Sequence, residues 1–256
     1  MLELLLPNHR LTLDNLLGEG SFGRVYSASM PSVCNLKHGH QLAVKLLLPA
    51  SDQQRKRSLD KFLREIRICA TLSHENVVAF YGGDHGTIDT TRVYVLCMEL
   101  SPFGVSTSWL TFPSVTSTQD VRNFLQMWAK RHPGQPLSER TCRHLITQLI
   151  NGLLYIHASR ILHCDIKLDN LLLFLGENGE LQLKYSDFGL SLDMQEEVLL
   201  ADRYGSLQYS APEFFMHSYA SAKDLSLGSH CFAENGKPYG LQPKISMHSE
   251  SRVHQS

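Results

Sequence analysis

The sequence predicts an α+β protein of two parts, a β-rich N-terminal part and a helical C-terminal part. Short stretches rich in β-branched and aromatic residues, separated by glycine turns, recur over residues 11–100. Beyond them, apolar residues recur at helical spacing in two longer segments. Between the parts, Ser101–Gln119 is rich in Ser, Thr, Pro and Gly and predicts a linker or insertion. Clefts between such parts often bind ligands.

Composition disfavours several functional classes. The chain has 256 residues, of which 43% are hydrophobic, so it can bury a core. A formal net charge of -1 provides no global field, and neither a nucleic-acid nor a membrane partner is expected. Leu2–Leu6 is too short for a signal-peptide core, and no run reaches the roughly 18 apolar residues of a membrane span. Six scattered cysteines without a Cys-x-x-Cys pair indicate reduced thiols and a cytoplasmic location.

The first two predicted strands, within Leu11–Ala28, are joined by a turn that carries Gly18, Gly20 and Gly23. Glycines let the backbone approach a polyphosphate and direct its N–H groups toward it. A dinucleotide-binding motif would open a helix at the third glycine, whereas Arg24–Tyr26 continues as a strand. The pattern therefore favours a hairpin loop that covers phosphates, and it disfavours a dehydrogenase.

A third strand, Gln41–Leu48, contains a single charged residue, Lys45. Burying an unpaired ammonium costs several kcal/mol, so Lys45 needs an anionic partner unless it reaches water at a strand edge. A helix is predicted for Ser58–Thr71, with Glu65 beside its apolar face. Glu65 is the natural partner of Lys45, and the alternative is a solvated helix residue.

The remaining elements before the central motif are two strands and two helices. The strands are predicted at Val77–Tyr81 and Arg92–Leu100, with a turn at Gly83–Gly86 between them. The helices are predicted at Asp120–Lys130 and Glu139–Ala158.

The segment His163–Asn170 lies between the second of these helices and a strand predicted at Leu171–Leu175. Asp165, Lys167 and Asn170 project from this short turn, which two core-forming elements hold in place. A carboxylate can accept a hydroxyl proton, an ammonium can neutralise a transferring phosphoryl group, and an amide can bind a metal. The alternative is an ordinary polar loop with a capping Asp.

Further polar motifs follow. A hairpin with its turn at Gly176–Gly179 and a strand at Leu181–Tyr185 lead to Asp187–Gly189, which reads Asp-Phe-Gly. An Asp directly after a strand, a Phe that can pack and a Gly that can rotate suit a metal-binding switch. Gly205–Glu213 reads Gly-Ser-x-x-Tyr-x-Ala-Pro-Glu.

Taken in order, these motifs resemble a eukaryotic protein kinase catalytic domain of the serine/threonine branch, from about Leu11 to Phe214. The resemblance implies a bilobal protein kinase fold, with a small β-rich N-lobe at about residues 11–100 and a helical C-lobe at about 101–220. A divergent, disordered tail is expected at 221–256. The implied activity is ATP-dependent transfer of the γ-phosphate to serine or threonine hydroxyls of protein substrates.

The resemblance also implies residue roles. Asp165 is expected to be the catalytic base, Lys167 to contact the γ-phosphate, and Asn170 and Asp187 to hold Mg²⁺. Lys45 is expected to hold the α- and β-phosphates. The residues expected to bind ATP, with Met98 as gatekeeper before the hinge, are Gly18, Glu19, Gly20, Ser21, Phe22, Gly23, Val25, Ala43, Lys45, Glu65, Met98, Glu99, Leu100 and Leu172.

Two residues within the His163–Asn170 segment predict how the protein is regulated and which substrates it prefers. Cys164 replaces the family's arginine that pairs with a phosphate on the activation segment, so this segment is not expected to be a phosphorylation switch. Asp169 lies where members that prefer basic substrates place a carboxylate, which predicts a mild preference for basic residues upstream of the acceptor.

The C-terminus departs from the family, because 43 residues follow Glu213, about half of what the family needs for its last helices. An incomplete C-lobe is therefore expected, with Leu145, Leu149 and Leu153 partly uncovered and marginal stability unless a partner completes the lobe. The alternative function is a truncated or inactive kinase-like protein that binds nucleotide or partners without efficient catalysis.

Overall fold

The computed structural model describes residues 2–8, 10–20, 23–29, 41–47, 52–101, 120–176, 179–194, 206 and 209. A sheet part (residues 2–101) precedes a helical part (residues 120–194). The insertion after Ser101, the Ala-Pro-Glu motif and the predicted tail lie outside the described residues. The expected incompleteness of the C-lobe therefore stays a prediction.

Six antiparallel strands close into a barrel in the sheet part, in the spatial order β1-β2-β3-β4-β6-β5. The strands are β1 (Leu2–Leu5), β2 (Arg10–Gly20), β3 (Gly23–Ser29), β4 (Gln41–Leu47), β5 (Phe80–Ile88) and β6 (Thr91–Glu99). Buried apolar side chains such as Leu4, Leu11, Val44 and Val95 form their core. The leucine run of β1 has no strand periodicity of its own, and it forms a strand because it pairs with both β2 and β5.

The predicted turn at Gly83–Gly86 is wrong, because these residues run through β5 and the chain turns at Asp89 and Thr90. The glycines serve close packing. A Cβ at Gly83 would lie 2.5 Å from the Cδ1 atom of Ile66, and one at Gly86 would lie 2.8 Å from that of Leu4. Gly83 thus lets α1 (Asp52–Thr71) approach the sheet. The strand predicted at Val77–Tyr81 is correct only at its end, since β5 begins at Phe80.

Two predicted helices are confirmed in the helical part, α2 (Val121–Arg131) and α3 (Glu139–Ala158). Each begins at a side-chain cap, since Asp120 accepts from the backbone N–H of Asn123, and Ser138 from that of Thr141. The structure describes no helix that is both long and apolar enough to cross a membrane.

The apolar stripe of α3 packs against the predicted hairpin of β8 (Leu171–Leu175) and β9 (Leu181–Tyr185). Leu145 and Leu153 are only 8% and 7% exposed, so the expectation that they are partly uncovered is wrong for these two, whereas Leu149 is partly buried. Both belong to the same buried core cluster as Leu173, Leu183 and Tyr185 of this hairpin. The large apolar side chains that are exposed on this helix are Ile146 and Leu154.

The β8-β9 hairpin also joins the two parts. Tyr185 donates its backbone N–H to the carbonyl of Asn76 at 2.8 Å and accepts from the N–H of Val78 at 2.9 Å. Asp120 forms a bridge with Leu172 on the other side of the hairpin. The two walls of the cleft between the parts are thus held in register by backbone hydrogen bonds.

Candidate active site

A cleft of about 590 Å³ opens between the sheet part and the helical part. This volume lies within the roughly 300–1,000 Å³ typical of ligand pockets. Strands β2, β3 and β4 form one wall, and β8 with the preceding 3-10 turn, Leu168–Asn170, forms the other. The predicted ATP-binding residues that line the cleft are Gly18, Glu19, Gly23, Val25, Ala43, Lys45, Glu65, Met98, Glu99 and Leu172.

The other predicted ATP-binding residues lie at the edges. Gly20 pairs with Gly23 at the tip of the β2-β3 hairpin, and Leu100 directly follows β6. Ser21 and Phe22 lie outside the described residues. From the predicted catalytic and metal-binding set, the cleft is lined by Lys167, Asn170 and Asp187.

The fold itself favours glycine at position 23, apart from the expected approach of the backbone to phosphates. Its φ is 130°, and a Cβ there would collide with the backbone carbonyl of Leu46 in β4. Gly18, by contrast, faces open space at the cleft. Of these two glycines, Gly18 therefore leaves room for a ligand, while Gly23 permits the hairpin to pack on β4.

The predicted pair of Lys45 and Glu65 is present and extends to a third residue. Lys45 Nζ donates to Glu65 Oε1 at 2.7 Å and to Asp187 Oδ1 at 2.8 Å. Burial disfavours the ammonium, but the two carboxylates outweigh it and raise the pKa of Lys45. Burial opposes ionisation of Asp187 as well, yet the Lys45 charge holds the pKa of Asp187 below its usual value. The cleft thus contains a fixed cation between two acidic side chains.

The Asp-Phe-Gly segment holds this cluster in place. Asp187 adopts a left-handed conformation with φ 58°. Phe188 is buried and packs on the His163 ring, with centroids 4.8 Å apart. A Cβ at Gly189 would lie 3.2–3.3 Å from Asp187 Oδ1, Glu65 Oε2 and Lys45 Nζ. A larger residue at this position would crowd the three charged groups.

Asp165 is buried and accepts four hydrogen bonds at its carboxylate. Its Oδ2 accepts from Lys167 Nζ at 2.7 Å and from Asn170 Nδ2 at 2.8 Å. Its Oδ1 accepts from the backbone N–H and the hydroxyl of Ser206, each at 3.0 Å. These donors fix the orientation of the carboxylate.

The His163 ring holds the His163–Asn170 segment in place through two hydrogen bonds. Its Nε2 hydrogen-bonds the carbonyl of Ser186 at 3.0 Å, and its Nδ1 accepts from the backbone N–H of Asp165 at 3.3 Å. This pattern requires the proton on Nε2 and a neutral ring. Burial lowers the pKa of His163, in agreement with a neutral ring.

Asn170 and Asp187 fit a magnesium ion. The amide nitrogen of Asn170 donates to the Asp165 carbonyl and carboxylate, each at 2.8 Å, which leaves its amide oxygen for a cation. Within the described residues, no group of three or more His, Cys, Asp and Glu side chains could hold a metal. Mg²⁺ in proteins is usually held by one or two carboxylates together with substrate phosphates and water. The two side chains would therefore share the ion with a nucleotide.

Glu99 has a role that the sequence did not reveal. Both of its carboxylate oxygens accept from Lys184 Nζ of β9, at 2.8 and 2.7 Å, and Oε2 also accepts from the N–H of Ala79. Lys184 Nζ lies 4.6 Å from the centre of the Phe174 ring. The Glu99 side chain thus ties the end of β6 to the helical part, while its backbone N–H donates to the carbonyl of Ala79 at 2.9 Å.

The lining also includes residues that no motif indicates: Leu17, Val78, Asp120, Arg122 and Ser186. Leu17 and Ser186 directly precede the motif residues Gly18 and Asp187, so their position in the sequence could have indicated that they line the cleft. Arg122 lies on α2, far along the chain from any motif, and it binds Asp169 in the structure. Such a contact has no local sequence signal.

Comparison with known proteins agrees with this geometry. The family model for the protein kinase domain matches residues 11–233. The chain is similar to Mitogen-activated protein kinase 1 of Oryza sativa subsp. japonica, with 29% identity over 82% of this chain and 45% of that protein. It is 30% identical to Serine/threonine-protein kinase plk-2 of Caenorhabditis elegans, over 80% of this chain and 27% of that protein. It is also 29% identical to the BDNF/NT-3 growth factors receptor of Gallus gallus, over 74% and 21%. The chain spans less than half the length of these relatives.

Proposed function

Because the chain belongs to the protein kinase domain family, we propose that it transfers the γ-phosphate of ATP to serine or threonine hydroxyls of protein substrates. The observation that carries the proposal is the arrangement around one cleft. Lys167 and Asn170 line one side and hydrogen-bond the buried Asp165 carboxylate, and the Lys45–Asp187 ion pair lies on the other side. A proton acceptor therefore lies next to groups of the cleft that can bind phosphate.

Each group has a distinct part in the reaction. Asp165 orients the substrate hydroxyl and accepts its proton as the hydroxyl oxygen bonds to the γ-phosphorus. The bond between the γ-phosphorus and the bridging oxygen breaks, and ADP leaves. Lys167 neutralises charge on the transferring group, and Lys45 holds the remaining phosphates. Bound Mg²⁺, held by Asn170 and Asp187, would supply further neutralisation of the phosphate oxygens.

The preference for serine or threonine rests on Lys167 and on the Gly-Ser-x-x-Tyr motif. One relative is named a serine/threonine-protein kinase, and another is a growth-factor receptor. Transfer from labelled ATP to peptides that differ only in Ser, Thr or Tyr at the acceptor tests the preference. Labelling restricted to the tyrosine peptide would contradict it.

The chemistry is tested by removing charged groups while the side-chain shape is kept. Asp165→Asn, Asp187→Asn and Lys45→Met should each lower the rate of transfer to a generic basic protein by about a thousandfold or more. Asp60→Asn and Lys130→Met are matched controls, since both residues are exposed and lie away from the cleft, on α1 and α2. They should keep the wild-type rate within about twofold.

Two outcomes would overturn parts of the proposal. Full activity of Asp165→Asn would contradict its role as the base. If the wild type bound nucleotide but transferred no phosphate, the protein would be a nucleotide-binding member of the kinase family and would not be an enzyme.

A further inference from the structure

At the mouth of the cleft, Arg122 of α2 and Asp169 of the 3-10 turn form a two-pronged ion pair. Arg122 Nε donates to Asp169 Oδ1 at 2.7 Å, and Nη2 donates to Oδ2 at 2.9 Å. Nη2 also donates to the hydroxyl of Tyr209 at 2.8 Å. The Arg122 and Asp169 side chains are 37% and 42% exposed. The pair is therefore fixed by three hydrogen bonds and can still be reached by a molecule that enters the cleft.

Its position exposes this pair to the substrate. Asp169 lies between Lys167 and Asn170, both of which hold the Asp165 carboxylate. Tyr209 is hydrogen-bonded to Ser206, which also contacts Asp165. A protein segment that presents a hydroxyl to Asp165 must therefore pass close to Arg122 and Asp169.

The ion pair changes which substrate side chains the mouth of the cleft can bind. A free carboxylate in this place would attract a basic side chain of the substrate. Both oxygens of Asp169 instead accept from Arg122 in the bidentate geometry that makes arginine–carboxylate pairs strong. Because Arg122 belongs to the same chain, it occupies Asp169 without the entropy cost that a substrate arginine would incur.

We propose that Arg122 is a specificity-determining residue that occupies Asp169 and so removes the preference for basic substrate residues that a free Asp169 would create. This inference rests on the proposed function and replaces the expected mild preference for basic residues upstream of the acceptor. Substrate selection at this rim then depends little on charge. A change that breaks the pair should create charge selectivity, with a sign set by the residue that remains.

The test measures peptide binding without phosphoryl transfer. Fluorescein-labelled peptides carry alanine at the acceptor position, and each upstream position in turn carries Arg, Ala or Glu. Fluorescence anisotropy gives their Kd for the full chain with Mg²⁺ and a non-hydrolysable ATP analogue. Wild-type protein should bind the Arg and Ala peptides with Kd values within about twofold of each other.

Three variants and a control then separate the charges. Arg122→Gln should bind at least one Arg peptide about fivefold more tightly than its Ala counterpart, and Asp169→Asn should favour a Glu peptide by a similar factor. The double variant should show neither preference, and added salt should weaken both. Arg143→Gln removes an exposed ion pair with Glu139 on α3, away from the cleft, and should behave as wild type.

The inference is overturned if wild-type protein already favours an Arg peptide about fivefold, or if neither single variant gains charge selectivity, whether or not peptides bind. A purely structural role of Arg122 would weaken all peptides alike and would also overturn it. Failure of the proposed function is seen separately, as absence of transfer from labelled ATP to serine peptides by the wild type.

Discussion

At the scale of single residues, Cys164 is expected to remove a regulatory contact of the activation segment. It directly precedes Asp165, adopts φ 62°, and its thiol lies 3.6 Å from the carbonyl of Leu162. Burial raises the pKa of Cys164 to about 12, so the thiol stays neutral at physiological pH. A neutral buried thiol cannot hold a phosphate as an arginine does.

We therefore predict that phosphorylation of the activation segment does not switch the protein on. The sequence contains no Ser, Thr or Tyr between Leu192 and Arg203, and acidic residues already supply negative charge there. Phosphatase treatment of purified protein should leave the rate of transfer within about twofold, with phosphatase plus inhibitor as the control. A large loss of rate, with a phosphate mapped within Leu192–Tyr204, where Tyr204 is the acceptor, would contradict the prediction.

His163 couples protonation to stability. Its neutral ring accepts a hydrogen bond from the N–H of Asp165, and a protonated ring could not. Burial lowers the pKa of His163 below its unfolded value of about 6.5. Between the two values the unfolded chain binds more protons, so stability is present above about pH 6.5 and is lost as the pH falls through the folded pKa.

This linkage predicts that the free energy of unfolding depends more steeply on pH in the wild type than in a variant without His163. The free energy of unfolding of the wild type, measured with urea, should fall more between pH 7 and pH 5 than that of His163→Gln. The expected excess is about 1.4 kcal/mol for each unit by which folding lowers the pKa. His85→Gln is the matched control, since His85 is exposed, and it should keep the wild-type slope. Equal slopes for wild type and His163→Gln would rule out this linkage.

At the scale of elements, the packing of α3 on β9 depends on the absence of a side chain at Gly152. A Cβ there would lie 2.8 Å from the ring of Tyr185 and 3.0 Å from the Cβ of Asn76. The Tyr185 ring is fully buried, and its hydroxyl donates to the Leu149 carbonyl at 2.8 Å. The ring therefore has little freedom to move away.

Gly152→Ala should destabilise the protein although alanine is the better helix former. Overpacking costs about 1–3 kcal/mol, and alanine regains up to about 1 kcal/mol of helix propensity. We expect a net loss of about 1 kcal/mol in urea-induced unfolding. Asn151→Ala, at an exposed position of the same helix, should cause no such loss. If Gly152→Ala were more stable than the wild type, the Tyr185 ring would have room to move away from the added methyl group.

At the scale of the whole molecule, the cleft lies between two parts of the chain, and residues of both parts line it. A nucleotide that touches both walls would bind only the folded arrangement and would therefore raise the melting temperature. At a concentration of 100 times Kd, the expected stabilisation is about 2.7 kcal/mol. For a chain of this size this corresponds to about 5–10 °C.

Thermal unfolding with and without Mg-ATP measures this shift. Lys45→Met should lose most of it at the same nucleotide concentration, because it lacks the buried cation that we propose contacts the phosphates. Lys130→Met should keep it, since Lys130 is exposed on α2. Wild-type protein that shows no shift at saturating nucleotide would argue against the cleft as an ATP site.

The sequence by itself determined the elements that have a local pattern. The helix at Glu139–Ala158 and the strands at Leu171–Leu175 and Leu181–Tyr185 were predicted with the bounds that the structure has. Periodicity and flanking turns carry this information within a few residues. The order of the motifs also predicted the family, because the chemistry of phosphate transfer needs particular residue types at particular spacings.

Only the tertiary structure decided the features that join residues far apart in the chain. β1 becomes a strand because β5 offers it an edge more than seventy residues later. Gly83 resembles a turn residue until Ile66 is seen to pack on it. Arg122 and Asp169 are 47 positions apart, and their pairing depends on how α2 packs beside the 3-10 turn Leu168–Asn170. Such contacts form where elements meet, so a pattern confined to one element cannot specify them.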